Sequence, residues 1–144
     1  MAGTLVFAVA LGVSGVLFAR EQNDWVAPPE AKNLKNPVPV NDTTVAAGKD
    51  IYTAKCVECH GDKGDGNGDE AEMYDPKPGD FTNARMMKEM TDGELFWKIT
   101  EGKKPMPSFK NRLTEEQRWQ VVTYIRTFSK AAAPAPAKPH KNKN

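Results

Sequence analysis

The chain has 144 residues, a formal net charge of +1 and 39% hydrophobic residues. That length allows one domain, and a near-neutral balance gives no global electrostatic reason to expect nucleic acid as a partner. Much of the apolar content sits in one N-terminal run, so the soluble part is small.

That run is GTLVFAVALGVSGVLFA, residues 3 to 19, uncharged and nearly all apolar. At about 1.5 Å per residue it makes a helix slightly short of the hydrocarbon core, close enough to span with help from its flanks. A cleaved leader is the competing reading. No basic residue precedes the run, however, and Leu17-Phe18-Ala19 lacks the small residue expected three positions before a cut. Residues 1–19 are therefore read as a retained membrane anchor in contact with the lipid bilayer. Within it Ala8, Gly12, Gly15 and Ala19 recur at spacings of four, three and four, a stripe of small residues that would let another membrane helix approach closely.

Residues 20–42 follow as a Pro-rich tether. Pro28, Pro29, Pro37 and Pro39 remove amide donors and favour extended geometry, and about twenty extended residues at about 3.1 Å each would carry a domain some 60 Å. Trp25 in this stretch suits a membrane interface.

The folded unit is expected over residues 43–130. In TVAAGKDIYTAKC, Ala47, Ile51, Tyr52 and Lys55 fall on helical spacing, and this first helix delivers CVECH at 56–60. Both cysteines of the chain stand here, three apart, with His60 directly after the second. Two thiols so spaced on a helical turn project to one side with the imidazole, and C-x-x-C-H reads as covalent haem c attachment through Cys56 and Cys59 with His60 on the iron. A redox Cys-x-x-Cys would need a preceding strand, and a zinc site would need two more ligands. There is no third cysteine, and the other histidine, His140, lies in the tail.

GDKGDGNGDEAEMYDPKPGD is glycine-rich and acidic, and reads as a solvated loop. Its Asp65, Asn67 and Asp69 faintly suggest calcium, but Glu70 stands where a glycine is needed and Pro76 where the last glutamate belongs. A short helical stretch, FTNARMMKEM, comes next. Thr91 then opens a capping box with Glu94, and Leu95, Phe96 and Ile99 form an apolar face closed by Gly102. After the proline-bounded loop KKPMPSFKNR, Thr114 opens T-E-E-Q. Trp119, Val121, Val122, Tyr124, Ile125 and Phe128 carry the last helix to about Lys130. Residues 131–144 are a low-complexity basic Ala/Pro tail of the kind that stays disordered.

In order, C-V-E-C-H, G-D-K-G-D-G-N-G, G-E-L-F-W-K-I-T-E-G, M-P-S-F and an aromatic last helix resemble class I cytochrome c of the bacterial membrane-anchored monohaem type, over residues 45–129 or so. The resemblance implies an all-α fold around one covalent haem c, preceded by a single transmembrane helix. It implies Cys56 and Cys59 as thioether anchors, and His60 and Met106 as the two iron ligands. Met86, Met87 and Met90 read as core, and Met73 lies in the acidic loop; only Met106 falls in an irregular segment just before the last helix. The resemblance also points to a proline carbonyl, Pro76 or Pro78, accepting from His60 Nδ1. Trp97 or Arg85 would meet haem propionates, Phe109 would cover the haem edge, and Gly48 with Tyr52 would pack on Tyr124. Lys98, Lys103, Lys104 and Lys110 would ring an exposed haem edge and steer acidic partners. The implied function is that of a single-electron carrier in the bacterial inner membrane, itself no enzyme. Its haem domain would be periplasmic, and it would serve within or beside a respiratory or photosynthetic complex. The alternative is a haem enzyme or gas sensor with a displaceable sixth ligand.

Overall fold

The computed structural model describes residues 25–131. The expected anchor over 1–19, its small-residue stripe and the tail from 132 onward lie outside the described residues. Among the described residues there are six α-helices: α1 (Pro29–Lys32), α2 (Asp42–Lys55), α3 (Val57–His60), α4 (Ala84–Glu89), α5 (Asp92–Glu101) and α6 (Glu115–Ala131). A single 3-10 turn spans Ala71–Met73. No described helix is long and apolar enough to cross a membrane.

Local signals set the helix starts. Thr91 and Glu94 exchange side-chain and backbone bonds at the head of α5, at 3.2 and 2.8 Å. Thr114 and Gln117 do the same before α6, at 3.2 and 2.9 Å. Each pair satisfies two amides that the first turn leaves without partners. A box not foreseen from sequence, Asn41 with Thr44, starts α2.

The core is the crossing of α2 and α6. Gly48 permits it: a Cβ there would fall 2.1 Å from the Gln120 carbonyl oxygen and 2.9 Å from Tyr124 Cβ. Next to this contact Tyr52 meets the edges of Tyr124 and Phe128, with centroids 5.3 Å away in both cases. Val121 and Val122 are fully enclosed, and burying each such side chain contributes about 1.5–3 kcal/mol. A valine at Gly48 must push backbone from backbone. Gly48→Val is expected to cost at least about 2 kcal/mol by overpacking, read as a lower urea midpoint with an unchanged slope.

Arg126 ties α6 to the other side. Its Nε donates to Asp92 at 2.6 Å, its Nη2 to the Met90 carbonyl at 2.5 Å, and its Nη1 to the Met87 carbonyl. The end of α4 and the start of α5 are thereby fixed on α6.

The expected tether differs most from the structure. From Trp25 onward it lies on the domain. Ala27, Ala31 and Val38 are buried, and α1 packs on α5 with the Ala31 carbonyl against Gly93. Lys98 Nζ donates to the Trp25 carbonyl at 2.6 Å and sits 4.7 Å from the indole centroid. Lys32 pairs with Glu94 at 3.4 Å, and Asn36 Nδ2 donates to Thr123 at 2.9 Å. Prolines do keep most of this stretch extended, but extended chain with apolar side chains still gains by lying in a groove.

Candidate functional site

Helix α2 ends at Cys56, whose amide still donates to the Tyr52 carbonyl at 2.8 Å. The chain then turns through α3, where the His60 amide returns to the Cys56 carbonyl at 2.8 Å, so one turn carries both thiols and the imidazole. The glycine-rich loop folds back over this turn. Gly66, Gly68 and Glu70 donate their amides to the carbonyls of His60, Cys59 and Glu58 at 3.0, 3.2 and 2.9 Å. Tyr52 Oη closes the arrangement by donating to the Gly61 carbonyl at 2.8 Å.

His60 is oriented from two sides. Its ring stacks on Phe81 with centroids 4.7 Å apart, and Phe128 stands behind Phe81 at 6.5 Å. Its Nδ1 lies 3.3 Å from the Gly79 carbonyl oxygen. A carbonyl only accepts, so Nδ1 carries the proton and Nε2 keeps its lone pair. The supporting carbonyl is thus that of Gly79, and neither Pro76 nor Pro78 fills the role. The Pro78 carbonyl oxygen is turned toward Gly66, where a Cβ would come within 2.5 Å of it. Burial lowers the His60 pKa from 6.5, outweighing the opposing bond to Gly79, and so favours the neutral ring that can ligate a metal.

Both thiols are free and half-buried. Burial, and then Cys59, pushes the Cys56 thiol up to about 12. Cys59 is raised by burial first and then by the Glu70 carboxylate, to which its thiol donates at 3.8 Å. A disulfide-exchange pair needs a depressed thiol pKa. These thiols have the opposite character.

Met106 sits in a turn closed by the Lys103 amide on its own carbonyl at 3.0 Å. The chain after it is fastened to α5 by Ser108 Oγ on the Thr100 carbonyl at 2.6 Å and by the Phe109 amide on the Ile99 carbonyl at 3.1 Å. Arg118, buried against Phe96, adds a bond from Nη1 to the Lys110 carbonyl at 3.0 Å. Met106 and Cys56 pack against one apolar cluster, as do Val57 and Phe81. Met86 and Met90 also reach the edge of that cluster, while Met87 is enclosed in it and Met73 is 66% exposed.

The other residues expected around the haem have the following neighbours. Phe109 is a core residue. Arg85 pairs with Glu89 at 3.3 Å on the exposed face of α4. Trp97 lines a surface cleft with Trp25, Val26, Glu101, Gly102 and Lys103. Among the four lysines, Lys98 is spent on Trp25, and Lys110 faces Glu101 at 3.8 Å. Three features were not legible in the sequence: the Gly79 carbonyl, the Phe81 stack and Glu70 beside Cys59. Each pairs residues 11 to 21 positions apart across a loop of irregular backbone.

This donor set suits a haem. It offers two thiols and an imidazole with one tautomer fixed on a single turn, and Cys56 and the Met106 thioether pack against one apolar, aromatic-rich cluster.

Comparison with known proteins agrees. Residues 43–125 match the family described as cytochrome c oxidase, cbb3-type, subunit III. Over 104 residues the chain is 31% identical to the cbb3-type cytochrome c oxidase subunit FixP of Sinorhizobium medicae, covering 67% of this chain. The chain spans about a third of that relative, 32% of its length. Among solved structures it is similar to a chain of the Kuenenia stuttgartiensis reducing HAO-like protein complex Kustc0457/Kustc0458. The identity is 29% and the TM-score 0.56, over 66% of this chain and 49% of that one. The domain is an electron-transfer cytochrome c domain that binds haem c covalently, and the chain belongs to the cytochrome c oxidase cbb3-type subunit III family.

Proposed function

We propose that this chain is a monohaem, single-electron carrier in which Cys56 and Cys59 would hold haem c through two thioethers and His60 Nε2 and Met106 Sδ would ligate its iron. Haem c, when bound, supplies the one-electron Fe(III)/Fe(II) couple. The observation that carries this reading is the His60 Nδ1 bond to the Gly79 carbonyl, which leaves Nε2 as the free donor on the same turn as both thiols. Gly79 and Phe81 fix the ring's tilt, and a hydrogen-bonded imidazole is a more basic ligand. The bonds of Ser108, Phe109 and Arg118 hold the Met106 turn still, so little rearrangement accompanies a change of charge at the site.

The chain is further proposed to be a subunit of a respiratory membrane oxidase, held in the bacterial inner membrane by residues 3–19 with the domain on the periplasmic side. The similarity to the FixP subunit and the apolar N-terminal run support this. Purification in mild detergent tests both parts. The oxidised protein should show the weak band at the red end of the visible spectrum that marks sulfur-to-iron ligation, and it should co-migrate with other subunits. A missing band would favour a displaceable sixth ligand, as in a haem enzyme or sensor. A solitary chain would make it a free carrier.

A further inference from the structure

The described chain begins already docked. Trp25 is fixed to α5 by its carbonyl and its ring, both on Lys98, and burial continues through Ala27, Ala31 and Val38. In sequence only Arg20 to Asp24 separate the apolar run from Trp25. The six Cα steps from Ala19 to Trp25 reach at most roughly 22 Å at about 3.6 Å each. About twenty extended residues of the 20–42 segment, if unattached, would reach about 60 Å at about 3.1 Å per residue.

What lies at this attachment point is a cleft lined by Trp25, Val26, Trp97, Glu101, Gly102 and Lys103. Val26 is 58% exposed, one of the few large apolar side chains left in solvent. Both tryptophans are half-buried, and exposed Lys104 adjoins the cleft next to Lys103. The acid in the lining, Glu101, faces Lys110 at 3.8 Å. Tryptophan with lysine is the combination that partitions to the headgroup layer, rings at the apolar boundary and amines toward phosphate. Basic groups close to an anionic leaflet add attraction.

We propose that residues 25–38 act as a clamp, and that the Trp25–Val26–Trp97 cleft rests on the headgroup layer of the bilayer. The occupant of the cleft is lipid. This rests on the reading of residues 3–19 as a membrane anchor. The domain is then held at the membrane surface in one orientation, with no freedom to swing between distant partners. The turn that carries Met106 is joined to the cleft wall by the Lys103 amide, which donates to the Met106 carbonyl at 3.0 Å.

The test uses the full-length, haem-loaded chain, in which both native cysteines are consumed and an introduced one is unique. Val26→Cys and, separately, Lys49→Cys are spin-labelled; Lys49 is exposed on α2, which packs on α6, whereas α1 packs on α5. Each is reconstituted into vesicles of phosphatidylcholine with phosphatidylglycerol, and relaxation by lipid-dissolved oxygen and by an aqueous nickel chelate is measured in the reduced state. Flotation of the same samples reports the anchor. The expected result is a severalfold fall in nickel accessibility with a rise in oxygen accessibility at position 26, and no such change at position 49. Protein that floats while position 26 stays as open to nickel as position 49 overturns the docking and leaves the anchor standing. Protein that does not float overturns both.

Discussion

Replacing Met106 by alanine is expected to leave haem attached, abolish the sulfur-to-iron band and lower the reduction potential by on the order of 0.1 V or more, within the ~0.8 V that axial ligands control. The thioether favours the ferrous state, so its loss favours the ferric one. Attachment survives because the thioethers depend on Cys56 and Cys59 alone. The structure makes the comparison sharper, since Met86 and Met90 reach the same apolar cluster as Met106. Met90 is pinned, its carbonyl accepting from Arg126 at 2.5 Å, and Met86 is held within α4. Met106 alone lies in a loop whose ends are fastened and whose middle is not in a helix. Met86→Ala and Met90→Ala should therefore keep the band and shift the potential little. A Met106→Ala protein with wild-type spectrum and potential would transfer the ligand role to one of those two.

Cys56→Ser is expected to be the most damaging single change. The haem-loaded fraction should collapse, and the remaining protein should lose its cooperative urea transition. Small domains bury only a modest fraction of their surface, and a covalently held group that joins the core supplies area the side chains lack. Cys56 also packs on the apolar cluster, where a serine hydroxyl without a partner would cost about 1–3 kcal/mol more. Cys59→Ser should be milder in folding. That position faces Glu70, and a hydroxyl there can donate to the carboxylate as the thiol does now. Haem yield by pyridine haemochrome and urea melts of both variants would check the order. Equal damage would mean that attachment alone, and not the local packing of Cys56, controls maturation.

Much of the site and several boundaries could be read from the sequence because they are local. Thr91 with Glu94 and Thr114 with Gln117 are three residues apart, and a capping box needs nothing beyond that spacing. The motif at 56–60 lies on one helical turn, so its three donors converge whatever else the chain does. The packing of Gly48 and Tyr52 against Tyr124 was implied by the family resemblance, and the structure places them in contact.

The tertiary structure decided what depends on contacts between distant residues. Prolines at 28, 29, 37 and 39 read as a free tether, and they do forbid long helix, but a missing amide says nothing about whether extended chain finds a groove. Lys98 reaches back 73 residues to Trp25, and Asn36 reaches forward 87 residues to Thr123, so the clamp exists only once α5 and α6 are in place. The same holds for His60. The sequence supplied the imidazole and a proline-rich loop to support it, but which carbonyl accepts from Nδ1 depends on how that loop folds back. With the Pro78 carbonyl turned to Gly66, the accepting oxygen is that of Gly79.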